Sequence, residues 1–130
     1  MRFVVVLVIG LFMGLAIAMS LANALQRRQA WPRGLMHVMQ HDLAAAREAA
    51  RGQQCSTPQM AQRAERLRLV AAELQPALLP ADSQDRVLTQ YIEQLASEAA
   101  NWDTASACPV QAEALTRIGH ACDACHRDYR

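Results

Sequence analysis

Apolar residues recur at steps of three and four along most of the chain, which is the spacing of an amphipathic helix. The first such segment is expected to start at Pro32 and end at Gly52, because proline suits a first helical position and glycine a C-cap. The second follows the cap Thr57 and the first-turn Pro58 and is expected to end at Pro76. Its apolar stripe comprises Met60, Ala64, Leu67, Ala71 and Leu74.

Two further helices are expected in the C-terminal half. The third begins near Asp82 or Ser83 and carries Trp102 on its apolar side, and the fourth begins at Pro109 and runs to the end of the chain. Four amphipathic helices joined by short loops can bury their stripes only against one another. The pattern therefore predicts an all-α fold, an antiparallel up-down four-helix bundle.

A continuous apolar run from Phe3 to Met19 precedes the periodic segments. The residues that follow it, up to Ala24, include the small residues that a signal peptidase recognises at its cleavage site. We expect a signal peptide over residues 1–24, cleaved after Ala24, and one exported domain over residues 25–130. An uncleaved anchor touching the membrane is the alternative. Basic residues following the run would then hold the domain in the cytoplasm by the positive-inside rule: Arg27, Arg28 and Arg33.

The composition excludes several classes of protein. A chain of 130 residues, 52% hydrophobic and 5% aromatic, is too short for a multi-domain enzyme and too apolar for a disordered tail. Its 13 basic residues are all arginine and face 12 acidic residues, so no basic surface for nucleic acid is expected. Loss of residues 1–24 removes one arginine, and 13 − 1 = 12 leaves the exported domain neutral.

The four cysteines are the unusual feature, and two of them belong to a motif. Cys122, Cys125 and His126 form a C-x-x-C-H sequence, the attachment signature of a c-type haem. Two thiols bond to the vinyl groups of one porphyrin and the adjacent imidazole binds the iron. The motif predicts one covalent haem c per chain. A thioredoxin-like dithiol, a plain disulfide and a zinc site that recruits His120 are the alternatives.

The C-terminal sequence from Cys122 to Arg130, with Tyr129 before the final arginine, resembles the cytochrome c′ family. In that family the motif ends the fourth helix of a bundle and is followed by an aromatic residue and an arginine. Helix one is similar too. In family members a basic residue precedes the residue that lies over the distal face of the haem, and here Arg33 precedes Leu35 and Met36. The resemblance implies that Arg33 and Arg130 bind the haem and that the chain can form a homodimer.

Within that family the residue on the distal side of the haem decides the function. If Met36 binds the iron, the resemblance implies an electron carrier that exchanges electrons with redox partner proteins. If Met36 only fills the core, it implies a five-coordinate protein that binds small gases such as nitric oxide or carbon monoxide. Met39 and His37 are less favoured ligands. No activated nucleophile or carboxylate pair stands out, so no enzyme is expected.

The remaining cysteines, Cys55 and Cys108, each lie just before an even-numbered helix. In an up-down bundle these two helices start at the same end. We therefore expect a disulfide between Cys55 and Cys108, which would stabilise the fold by about 4 kcal/mol through the loop it closes. A disulfide and a c-type haem both indicate export, here to the periplasm.

Overall fold

A computed structural model describes residues 2–79 and 84–129. No strand occurs in these two stretches, so the predicted all-α class is confirmed. The chain divides into two compact units, Met1–Arg33 and Gly34–Arg130. The helices are α1 (Arg2–Arg51), α2 (Pro58–Leu78), α3 (Arg86–Ala100) and α4 (Cys108–Asp128).

In the N-terminal unit the chain is strongly apolar. Val6–Ala24 is helical, and it is long and apolar enough to cross a membrane. Its described large apolar side chains are exposed. A signal sequence and a membrane span share these properties. The predicted cleavage after Ala24 stays a prediction.

The second unit is built on one hydrophobic core to which all four helices contribute side chains. The core follows from the apolar stripes, because residues three and four apart share one face of a helix. The stripe predicted for α2, from Met60 to Leu74, is buried at every position. α3 packs against both α2 and α4. Trp102 is fully buried although it lies two residues beyond the end of α3.

Two prolines do not mark the helix boundaries that the sequence predicted. Pro32 lies inside α1 rather than at its start, and Pro76 lies inside α2, which continues to Leu78. A proline removes one backbone donor and crowds the preceding turn, but the residues after it can remain helical. Strong helix formers such as alanine, leucine and glutamine near both prolines favour that continuation.

The left-handed residue at the end of α1 is Gln53 rather than Gly52. Gln53 has a positive φ of 56°, and the N–H of Gln54 donates to the carbonyl of Ala49 at 2.8 Å. The N–H of Gln53 donates to the carbonyl of Ala50 at 3.1 Å. These two bonds form a Schellman motif, whose left-handed residue usually is glycine. The helix ends at Arg51, so the predicted end at the C-cap Gly52 is confirmed, and the left-handed residue is the next one, Gln53.

The other two helices begin close to their predicted starts. α4 begins at Cys108 with Pro109 in its first turn. α3 begins at Arg86, because the carboxylate of Asp85 accepts a hydrogen bond from the N–H of Leu88 at 3.0 Å and caps the helix. The predicted starts at Asp82 or Ser83 lie outside the described residues.

Candidate functional site

α4 places the C-x-x-C-H motif on one face of its last turns. Cys125 lies three residues after Cys122 and His126 lies four residues after it, so the three side chains emerge on the same side of the helix. The turns before the motif are held by Leu115 and Ile118, both fully buried. Cys122 and Cys125 are free, partly buried thiols, and His126 is exposed. The motif therefore lies where the core meets the surface.

Cys122 and His126 both line two cavities, and His126 also lines a more open third one with Asp123, Arg127 and Tyr129. Of the two that both residues line, one is larger. The larger has a volume of about 290 Å³ and its walls come from α1 and α4; the remaining lining residues are Met36, Met39, Gln40, Leu43, Arg47, Gly119 and Asp123. The smaller has a volume of about 20 Å³ and mainly apolar walls; the remaining lining residues are Met36, Leu74, Leu78, Tyr91, Ile92, Leu95 and Cys125.

Met36 is the α1 residue that lines both cavities together with Cys122 and His126. It is partly buried and packs against the core. Met39 is only 3% exposed and lines the larger cavity but not the smaller one. His37 is exposed and lines neither cavity. Of the three distal ligands considered from the sequence, Met36 is therefore the one that the structure brings to both spaces beside the motif.

Gly119 makes room for an arginine beside the larger cavity. A Cβ built at this position would overlap the guanidinium of Arg47, whose Cζ would lie 2.9 Å away. The Nη2 of Arg47 donates a hydrogen bond to the carbonyl of Leu115 at 3.2 Å. The absence of a side chain at Gly119 thus lets Arg47 lie flat across α4, one turn before Cys122.

Both thiols of the motif have a raised pKa. Burial is the main cause that raises the pKa of Cys122, and the nearby Asp123 carboxylate adds to it, against a smaller opposite effect of Arg47. Burial also raises the pKa of Cys125, with a further contribution from Asp128. A dithiol redox site requires a lowered thiol pKa. The electrostatics here do not favour the thioredoxin-like alternative.

The residues at the site fit a c-type haem better than a bare metal ion. Residues 2–79 and 84–129 contain no group of three or more His, Cys, Asp or Glu side chains arranged around a metal ion. The zinc alternative needs such a group, whereas a haem needs one imidazole at the iron and two thiols at its edge. The larger cavity is at the lower end of the size range of ligand pockets.

The two arginines implied by the family resemblance stay predictions. Arg33 is an exposed residue of α1 in the unit Met1–Arg33, and the site residues belong to the other unit. Arg130 lies outside the described residues.

Cys55 and Cys108 are disulfide-bonded, as their positions before α2 and α4 predicted, with their Cα atoms 5.4 Å apart. The side-chain amide of the buried Gln111 ties the same two loops together. Its nitrogen lies within hydrogen-bond distance of the carbonyls of Ser106 at 2.8 Å, Thr104 at 3.0 Å and Cys55 at 3.4 Å. This end of α4 is therefore cross-linked both covalently and by hydrogen bonds.

Two crossed tyrosine–carboxylate pairs join the end of α4 to α3, and the sequence did not reveal them. Tyr129 donates its hydroxyl to the carboxylate of Asp85, with both oxygens at 2.9 Å. Tyr91 donates to Asp128 at 2.6 Å, and the two tyrosine rings meet edge to face with centroids 6.3 Å apart. We call these four residues the tyrosine clasp. Tyr91 also lines the smaller cavity with Cys125 and His126.

Arg47 and Gly119 are the other site residues that sequence reasoning missed. Both carried a signal, because Arg47 lies three helical turns after Met36 on the same face of α1 and Gly119 lies one turn before Cys122 on α4. Comparisons with protein families, with curated proteins and with solved structures find no match to this chain. Its function is therefore argued from its own residues.

Proposed function

We propose that this chain is an exported c-type haem protein, built as a four-helix bundle of the cytochrome c′ kind, that transfers electrons in the periplasm. One haem would be held by thioethers to Cys122 and Cys125 with His126 as iron ligand. The observation that carries the proposal is the position of these three side chains on one face of α4, beside a cavity that Met36 also lines. When bound, the haem supplies a one-electron couple between ferric and ferrous iron.

The protonated thiols are suited to the attachment. Cys122 and Cys125 would hold the haem covalently: each S–H would add across one vinyl double bond, with sulfur and hydrogen going to its two carbons, so no atom would be lost. Burial raises the pKa of Cys122 and of Cys125 and so favours the thiol over the thiolate. Because α4 fixes the two sulfurs three residues apart, both act on the same edge of one porphyrin.

Met36 supports the electron-carrier function. A thioether is a soft ligand that closes the sixth position of the iron and raises the reduction potential. Met36 lies on α1, across the larger cavity from α4, so its sulfur and the His126 imidazole come from different helices. Gas binding is the second candidate, because Met36 is partly buried and packs against the core, which leaves the sixth position open if its sulfur stays there.

The test of haem attachment uses all four cysteines. The wild-type chain, exported together with a haem-attachment system, is expected to keep a haem stain on a denaturing gel. Cys122→Ala together with Cys125→Ala removes both thioethers and is expected to abolish the stain. The matched control, Cys55→Ala together with Cys108→Ala, also removes two cysteines but is expected to keep it. An unstained wild-type protein contradicts the proposal.

A second experiment separates electron transfer from gas binding. The ferric wild-type protein is expected to show the sulfur-to-iron charge-transfer band, and its reduced form to bind carbon monoxide slowly. Met36→Leu keeps the packing volume but removes the sulfur, so we expect the band to disappear and carbon monoxide uptake to become fast. Met39→Leu is the control and is expected to behave as the wild type. Rapid uptake by the wild-type protein without the band would favour the gas-binding function instead.

A further inference from the structure

The two cavities beside the motif differ in chemical character. Cys125 lines only the smaller one, whose remaining walls are mainly aliphatic. The larger one carries polar side chains from both of its helices, which are Gln40, Arg47 and Asp123. A haem has the same division, since its vinyl groups lie at one edge and its two propionate carboxylates at the opposite edge. Thioethers to Cys122 and Cys125 would hold the vinyl edge at the motif, and the larger cavity offers the polar side chains that a propionate needs.

Arg47 has both the charge and the room to meet a carboxylate in the larger cavity. A guanidinium has five N–H donors in a planar fork, and the one hydrogen bond given by Arg47 goes to the Leu115 carbonyl at 3.2 Å. The ion pairs among the described residues do not include Arg47. Gly119 leaves the space across α4 in which the guanidinium lies. The charged or ionisable groups that line the same cavity are Cys122, Asp123 and His126.

We propose that Arg47 binds a propionate carboxylate of the haem and so fixes which edge of the porphyrin faces the polar cavity. The inference rests on the proposed function, because it needs a haem attached at Cys122 and Cys125. Arg47 acts as a positioning residue, because it can supply bidentate hydrogen bonds and a positive charge, whereas the Asp123 carboxylate that lines the same cavity repels an anion. Neither Arg33 nor Arg130 is needed for this contact.

The test measures the haem rather than electron-transfer activity. In the exported holoprotein, Arg47→Gln is expected to leave covalent haem in place and to shift the propionate bending band in the resonance Raman spectrum. It is also expected to lower the reduction potential, because loss of a nearby cation favours the more positive ferric state. Arg47→Lys keeps the charge without the planar fork. We expect it to restore the potential but not the wild-type Raman band.

The control is Arg51→Gln, which changes the same residue type one turn along α1. The Arg51 side chain is 76% exposed and pairs with Glu48 at 3.2 Å, so its loss is expected to leave the Raman band and the potential unchanged. This inference alone is overturned if the wild-type protein carries covalent haem but Arg47→Gln changes neither the Raman band nor the reduction potential. A wild-type chain that takes up no haem overturns the proposed function and this inference together.

Discussion

Gln53 holds a backbone conformation that is costly for any residue with a Cβ. Its φ of 56° is in the left-handed region, which costs an L-residue roughly 1–2 kcal/mol and glycine almost nothing. We predict that Gln53→Gly raises the free energy of unfolding by about 1 kcal/mol, as measured by urea denaturation of the holoprotein.

The control for this prediction is the neighbouring Gln54→Gly. Gln54 is exposed like Gln53 but does not have a positive φ. Glycine there only adds conformational freedom to the unfolded chain, so the variant is expected to lose about 0.4–1 kcal/mol. An equal change in both variants would show that the left-handed residue is not the cause.

The difference between Gly52 and Gln53 shows where single residues can be predicted. The stripe of α2 is set by helical periodicity alone, and each of its five residues is buried as expected. Which residue becomes left-handed depends on which carbonyl accepts the hydrogen bond from the N–H that follows it. Here the Gln54 N–H donates to the carbonyl of Ala49, and residue preferences alone do not predict this bond. The contact between Arg47 and Gly119 depends on how two helices pack, so it also could not be predicted from local pattern.

At the scale of the elements, the tyrosine clasp holds the motif-bearing end of α4 to the start of α3. Hydrogen bonds from the Leu88 N–H and Tyr129 lower the pKa of Asp85. Burial and the hydrogen bond to Asp85 raise the pKa of Tyr129, and the hydrogen bond to Asp128 raises that of Tyr91. The same carboxylate therefore caps α3 and anchors the residue that follows α4.

These shifts predict a window of pH in which the clasp stabilises the protein. The lowered pKa of Asp85 gives stability that is present above about pH 4 and is lost as the pH falls through its folded value. The raised tyrosine pKa values give stability that is present below about pH 10 and is lost as the pH rises. We predict that Tyr129→Phe lowers the Tm by a few degrees within this window and weakens its dependence on pH at both limits.

Tyr91→Phe is the matched variant because it removes the other hydroxyl of the clasp. Asp85 keeps its hydrogen bonds from Leu88 and Tyr129, so the acid-side loss assigned to Asp85 is expected to remain, while the alkaline-side loss decreases. Thermal melts between pH 3 and pH 11 provide the comparison. Identical acid limbs in the two variants would contradict the role given to the bond between Tyr129 and Asp85.

At the scale of the whole molecule, the order and burial of the helices were more predictable than their ends. Apolar spacing identified all four helical segments, since burial of such stripes is what holds small helical proteins together. Beyond Pro76, α2 is supported by the packing of Ala77 and Leu78 against the core. The start of α3 is set by the single capping hydrogen bond to Asp85. The motif on α4 was readable from spacing, because helix geometry alone puts its three residues on one face.

One mass measurement tests the three proposed processing steps, which are signal cleavage, haem attachment and disulfide formation. We predict that the exported protein has the mass of a chain beginning at Leu25, plus one haem, less two hydrogens for the bond between Cys55 and Cys108. Thioether formation adds the whole haem, and cleavage after Ala24 removes the apolar leader. Intact-mass spectrometry of the purified periplasmic fraction tests all three steps together.

Ala24→Leu provides the control for the leader, because a bulky residue at this position obstructs the signal peptidase. The variant is expected to retain residues 1–24, to stay with the membrane fraction and still to carry haem. A wild-type protein that keeps its leader would support the anchor alternative. Because the positive-inside rule would keep such an anchored domain in the cytoplasm, its haem content then shows whether the domain is exported.

The distance between the two ends of α4 limits which of the four cysteines can form a disulfide with each other. An unfolded chain with four cysteines allows three complete pairings. Cys108 and Cys122 are 122 − 108 = 14 residues apart in one helix, about 21 Å at 1.5 Å per residue, and a disulfide bridges Cα atoms only up to about 7 Å apart. Once α4 has formed, an oxidant can join Cys108 to Cys55 but not to either motif thiol. Helix formation therefore leaves Cys55 as the partner of Cys108 and keeps Cys108 from bonding to the haem-attachment motif.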